Sequence, residues 1–314
     1  MKKSLALGIE SFPDMILGNS YYVDKTAAIK PLMLSGKYVQ LITRPRRFGK
    51  TLFMDMLRAF LDVDLSEPGN TLWQEKLFAG LAIRNEKAFC EAFMGQYPVL
   101  LVSLREVKGL TFESAMSALA ETIQPIVERY ADLLKSPRLT EDDKIYLRNC
   151  QSREYLLDSG HQAILARHFE RQTVLLIDEY DVPLQKAVKA GYYPKMLAFM
   201  QSFLSCLKAK EGIRVKGLLA IRKAIVTGCL RVSKASIFTD VNNFDVNTVC
   251  MQGGALSTAI GFTAAEVDEL LAYYGLNDKR ETVKEGYDGY RFGQAEIYCP
   301  WDVVNFCSKA LASD

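Results

Sequence analysis

Arg44-Pro45-Arg46-Arg47-Phe48-Gly49-Lys50-Thr51 stands between an apolar run, Lys37-Tyr38-Val39-Gln40-Leu41-Ile42-Thr43, and a segment running on to Leu61. The run has strand length. In the segment, Leu52, Phe53, Met56, Leu57, Phe60 and Leu61 fall in pairs one turn apart, the apolar stripe of a helix. The octet is therefore a strand-to-helix turn. Its end, Gly49-Lys50-Thr51, is the G-K-[ST] of a phosphate-binding loop. In such a turn backbone N–H groups and a helix N-terminus face a polyphosphate, the lysine reaches the β- and γ-phosphates, and the hydroxyl ligates Mg²⁺. Arg44 occupies the place of the first glycine of G-x-x-x-x-G-K-[ST]. A left-handed backbone there would cost an arginine about 1–2 kcal/mol. The expectation is that the loop enters differently and that three arginines add charge near the phosphates. A lone G-K-T also arises by chance, so the plain alternative is a basic turn.

A second signal lies downstream. Val174-Leu175-Leu176-Ile177-Asp178-Glu179-Tyr180-Asp181 is a hydrophobic strand running into acids. The first acid fits the Mg²⁺ shell and the second the polarisation of an attacking water. Such strings also occur wherever a buried strand meets solvent; the pairing with Gly49-Lys50-Thr51 gives this one its weight. A further strand, Pro98 to Leu104, separates the two motifs in the chain. An extra strand, with an acid directly after the aspartate, marks the phosphate-loop ATPases that use a catalytic glutamate. The fourth strand, Lys223 to Thr227, is expected beside the loop strand. Thr227 would then sit where a polar sensor touches the γ-phosphate or the water, or would simply cap the strand.

Strands apolar on both faces, separated by helices, imply a parallel sheet covered on both sides. Helices are expected from about Thr111, an N-cap, to Leu134 with a break or kink at Pro125, from Glu154 to Phe169, and from Pro194 to Lys208. Ser136 to Asp143 is polar and reads as a loop. After about Gly254 the pattern changes: Thr263-Ala264-Ala265-Glu266 is a capping box for a helix through Tyr274. The reading is a three-layer α/β phosphate-loop NTPase core over residues 1–254 and a small helical lid over residues 255–314.

Composition narrows the function classes. Lys and Arg number 39 against 37 Asp and Glu, a net +2, so neither a polybasic nucleic-acid arm nor an acidic tail is present. The seven cysteines (Cys90, Cys150, Cys206, Cys229, Cys250, Cys299 and Cys307) form no zinc-type pair and read as buried thiols of a reducing compartment. His161 and His168, seven apart on a helix, are more plausibly structural than metal-ligating. Met1 to Leu7 is too short for a signal peptide, and no apolar stretch reaches the length of a membrane span. A soluble cytoplasmic protein without membrane contact is expected.

Taken together, several stretches resemble a known family. They are Gly8-Ile9-Glu10-Ser11-Phe12, Tyr21-Tyr22-Val23-Asp24-Lys25-Thr26, Arg44 to Thr51, Ile177 to Asp181, Thr227 to Lys234 with Ser236-Ile237-Phe238, and Tyr287-Asp288-Gly289-Tyr290-Arg291-Phe292-Gly293 followed by Tyr298 to Phe306. In this order, over nearly the whole chain, they resemble the bacterial and archaeal AAA-ATPase-like proteins, which often carry a C-terminal PD-(D/E)-x-K nuclease-type domain. In that family R-P-R-R-F-G-K-[ST] is the usual loop. The resemblance implies Mg²⁺-dependent ATP binding and hydrolysis to ADP, with the Tyr22 to Thr26 segment, including Asp24, holding the adenine. It also implies that Tyr290-Arg291-Phe292 belongs to a helical lid, and that a nuclease-type domain would begin near where this chain ends.

On this reading Arg46, Arg47, Phe48, Gly49, Lys50, Thr51 and Leu52 hold the phosphates. Thr51 and Asp178 organise the metal, while Glu179, Lys50 and Thr227 act in catalysis. Arg231 and Arg291 are the candidates for an arginine finger. The ATPase would act on a nucleic-acid or protein partner and could oligomerise. Two alternatives stand beside it: a slow nucleotide switch, and a nucleic-acid-binding module in which Arg44, Arg46 and Arg47 touch the phosphate backbone.

Overall fold

A computed structural model describes residues 2–149, 161–207, 214–215, 218–230, 244–248, 256–287 and 289–313. Its centre is a five-stranded, all-parallel sheet of β1 (Val39–Thr43), β2 (Val99–Ser103), β3 (Thr173–Asp178), β4 (Ile221–Gly228) and β5 (Phe244–Asn247), in the order β2-β3-β4-β1-β5. The strand that follows the acids thus lies between the loop strand and the acid strand, as expected. β5 is an edge strand the sequence reading missed: Phe244-Asp245-Val246-Asn247 alternates with polar residues and lacks the apolar run of a central strand.

Each buried strand feeds two cores. Val174, Leu176, Ile225 and Ile42 pack with the Lys50–Leu61 helix and the N-terminal helices, while Leu175, Ile177, Ala224, Val226 and Leu41 pack under the helices on the other face. Alternation along a strand places successive side chains on opposite faces, which is why both sets are apolar and the layers number three.

Two expectations on the far face are corrected. The helix that Thr111 caps runs from Phe112 to Glu128 straight through Pro125, and only then gives way to a 3-10 turn, Ala131–Lys135. The polar stretch from Ser136 to Asp143 is a loop only as far as Thr140. There the Thr140 hydroxyl accepts from Asp143 N at 3.2 Å and the Asp143 carboxylate accepts from Thr140 N at 3.1 Å, a capping box that starts the Glu141–Asn149 helix.

The C-terminal part has its own core, built on Val267, Leu271, Tyr298, Val303 and Cys307, with Leu5, Tyr21 and Val23 of the N-terminal segment packed against it. The Thr263 capping box is present and opens the Ala264–Tyr274 helix. This part is not wholly helical, however. β6 (Phe262–Thr263), β7 (Tyr290–Phe292) and β8 (Ala295–Tyr298) form an antiparallel sheet in the order β6-β8-β7. Tyr290-Arg291-Phe292 is therefore a strand. It joins β8 through the two-residue turn Gly293-Gln294, where Gly293 has φ 63°. A three-residue strand is too short to show a period, and the Gly-x hairpin turn was the signal available. Among the described residues no helix is long and apolar enough to cross a membrane.

Candidate functional site

The strand registers align the motifs. Thr43 pairs with Gly228, Ile177 with Val226 and Ser103 with Asp178, so the carboxyl ends of four parallel strands open on one edge of the sheet. In open parallel sheets that edge is where ligands bind. It borders a cavity of about 580 Å³. Its wall includes the phosphate loop, the acid strand's end and both the N-terminal and C-terminal segments.

The loop residues take distinct tasks. Gly49 is the residue before the helix and has φ 90°, a left-handed conformation open to glycine. Arg47 is also left-handed, with φ 69°. Lys50 is buried; its Nζ lies 3.3 Å from Glu179 Oε1 and donates to Pro45 O at 3.1 Å. The Thr51 hydroxyl donates to Asp178 Oδ2 at 2.7 Å. Arg46 and Leu52 line the cavity, as do Arg47, Phe48, Gly49, Lys50 and Thr51.

Three loop side chains pack against the C-terminal part. Phe48 is buried, with its ring 4.8 Å from that of Tyr290 and 5.5 Å from that of Phe292. The Arg47 guanidinium lies over the Trp301 ring at 4.2 Å. Arg44 is 1% exposed and donates to the carbonyls of Thr43, Asn247 and Leu256 at 2.9, 3.0 and 3.1 Å, with Phe292 beneath it. Burial lowers its pKa to about 10. Arg44 does not have a positive φ, so the position needs no glycine, and its side chain lies off the cavity wall. Of the three arginines expected near the phosphates, Arg46 and Arg47 line the cavity and Arg44 does not. The nucleic-acid alternative loses the same residue, since a buried guanidinium reaches no external backbone.

At the acid strand, Asp178 is held from two sides. Its Oδ1 accepts from the Thr227 hydroxyl and its Oδ2 from Thr51. Thr227 is fully buried, so the structure places it on the carboxylate and not on the cavity wall. Glu179 lines the cavity at φ 55°, a left-handed conformation that costs a non-glycine residue about 1–3 kcal/mol and that clusters at functional sites. Asp181 is spoken for: its carboxylate accepts from Cys229 N at 3.1 Å and Leu230 N at 2.9 Å, and from Gln185. Gly228 makes this possible, because a Cβ there would lie 2.6 Å from both the Tyr180 ring and the Asp181 carboxylate.

Burial pushes the Asp178 carboxyl above its ordinary pKa, Glu179 adding to the effect and Thr227, Thr51 and Lys50 opposing it. A carboxyl whose folded pKa is raised binds its proton more tightly in the native state. Its ionisation therefore lowers stability as pH rises from the ordinary carboxylate value through the raised one. Asp178→Asn should accordingly raise the stability of the nucleotide-free protein at neutral pH while removing any Mg²⁺-dependent gain from nucleotide. Thermal melts with and without Mg-ATP check both halves. A variant that melts lower without nucleotide would contradict the first.

The remaining assignments divide. Tyr22 lines the cavity, its hydroxyl donating to Met56 Sδ at 3.2 Å. Asp24 does not: its oxygens accept from Thr26 N and Ala82 N at 2.8 and 2.7 Å, which fixes a turn. Arg291 is exposed on β7 outside the cavity, and Arg231 lies outside the described residues. His161 and His168 sit away from the cavity lining. Two residues at the site escaped sequence reasoning. Cys229, after β4, has its Sγ 3.4 Å from Lys50 Nζ, and Arg105, after β2, donates to Thr51. Each lies within two residues of the end of a parallel strand that builds the site, and that position was the signal.

The donor set suits Mg²⁺ bound with nucleotide. Among the described residues there is no group of three or more His, Cys, Asp or Glu side chains able to hold a metal ion. One hydroxyl beside one carboxylate, with phosphates and water completing the octahedron, is how Mg²⁺ is commonly held.

Residues 6–238 match the family described as AAA-ATPase_like, "Predicted AAA-ATPase". The chain is also 27% identical over 312 residues to a protein of Azotobacter chroococcum mcd 1 described as "Uncharacterized protein in vnfD 5'region". That alignment takes in 98% of this chain and 52% of the relative, so the chain spans about half the length of the curated relative it matches.

Proposed function

The chain belongs to the AAA-ATPase-like family, and from that footing we propose that it binds ATP with Mg²⁺ and hydrolyses it to ADP and phosphate. The observation that carries the reading is the Thr51–Asp178 hydrogen bond of 2.7 Å, which joins residues from two separate motifs, Thr51 lying on the cavity wall. Lys50 and the backbone from Arg47 to Thr51 would hold the phosphates. Thr51 and Asp178 would hold Mg²⁺, which when bound neutralises charge on the β- and γ-phosphates. Glu179 reaches the cavity and would orient the attacking water and draw its proton. Thr227 acts through Asp178, fixing the carboxylate's direction. Tyr22 supplies an aromatic wall on the side where the base would lie. The cavity's volume falls within the range of small-molecule sites.

Mg-ATP at 100 times its dissociation constant should stabilise the protein by about 2.7 kcal/mol, and ATP with chelator by much less. Melting curves at millimolar nucleotide, paired with phosphate release, test this. An unshifted curve with Mg-ATP would remove the ATPase reading.

A further inference from the structure

The cavity contains a cation that the phosphate loop does not supply. Arg105 stands two residues beyond β2 and lines the cavity. Its Nη2 donates to Thr51 Oγ1 at 2.8 Å, and its Nη1 donates to both Glu10 carboxylate oxygens at 2.7 and 2.6 Å. Thr51 Oγ1 is the same oxygen that donates to Asp178. A guanidinium and a divalent cation repel strongly at contact distance, so they cannot share that oxygen. Metal at Thr51 therefore requires Arg105 to release the hydroxyl.

Its freedom to move is evident. The Arg105 side chain is 39% exposed and Glu10 is 54% exposed, so the tie between them is a surface pair of little strength. The Glu10 hydrogen bond is the main influence raising the guanidinium's pKa, and Asp178 and Glu179 add to it from the site itself. Once off Thr51, its strongest partner in the same cavity is the anion that arrives with the metal. Arginine suits that role, being permanently charged and matched to phosphate by its planar fork of donors.

Resting on the ATPase reading above, we infer that Arg105 is a phosphate-contacting residue supplied in cis. It pairs with Thr51 and Glu10 until Mg-nucleotide enters, then turns to the terminal phosphate and so distinguishes ATP from ADP. Glu10 is its positioning partner and competes with the phosphate for it.

The test is equilibrium titration of the full chain with ATP and with ADP, both with Mg²⁺, for the parent, Arg105→Ala, Arg105→Lys and Glu10→Gln. Arg105→Ala should weaken ATP at least tenfold, the loss of one hydrogen bond between charged partners, and leave ADP within about twofold. Arg105→Lys should restore part of the preference, and Glu10→Gln should tighten ATP a few-fold. Equal weakening of both nucleotides by Arg105→Ala, with a lower melting temperature, would mean a structural role and overturn the inference. A parent that binds both nucleotides alongside an Arg105→Ala variant with unchanged ATP preference would overturn it alone. A parent that binds neither nucleotide would overturn the ATPase reading, and this inference with it.

Discussion

Glu179→Gln should bind Mg-ATP with nearly parental affinity and release phosphate about 10²–10⁴-fold more slowly, the range for loss of a positioned general base. The substitution keeps the shape and removes the proton acceptor. Lys50→Ala should behave differently. Lys50 Nζ lies 3.3 Å from Glu179 and is buried at the cavity wall, so its loss strips charge from phosphate binding in ground and transition states alike and affinity falls. Asp181 is not a reserve base, because its carboxylate is occupied by two backbone N–H groups and Gln185. Nucleotide titration with steady-state phosphate release separates the two variants. Parental turnover by Glu179→Gln would remove Glu179 from the role of general base.

The second large effect is on stability. Arg44→Ala should destabilise the protein by about 2–4 kcal/mol, read by chemical denaturation. Its guanidinium satisfies carbonyls from β1, β5 and Leu256 and lies over the Phe292 ring. Truncation leaves buried acceptors unpaired and opens a cavity, partly offset by relief of a buried cation that makes no ion pair among the described residues. Arg44→Met keeps most of the volume and loses only the donors, so it should cost less, about 1–2 kcal/mol. Equal stability of Arg44→Ala and the parent would return Arg44 to the list of mobile surface charges.

How far these residues could be read in advance differs between them. Lys50, Thr51, Asp178 and Glu179 were legible because each is bound to a local pattern: strand, turn and helix in one case, strand and acids in the other. Thr227 was placed beside the loop strand correctly, but its partner is the Asp178 carboxylate. That direction depends on the pairing of Ile177 with Val226, which brings the two strand ends level. Asp24 resembled a ligand in its motif and proves to fix a turn against Ala82.

Local sequence by itself determined β1 to β4, the phosphate loop between β1 and its helix, the acid pair at the end of β3, and the caps at Thr111 and Thr263. Each follows from hydrophobic period or from hydrogen bonds within a few residues, and both are properties of a short stretch of chain. Tertiary structure alone decided what the three arginines of one loop do. Arg44 lies under the C-terminal part, Arg47 stacks on Trp301, and only Arg46 stays wholly with the cavity. It also brought Arg105 and Glu10, 95 residues apart, to Thr51. Arginines adjacent in sequence carry the same charge and the same reach. Which one is buried, stacked or presented to a phosphate depends on what the distant chain packs against it, and no local period encodes that.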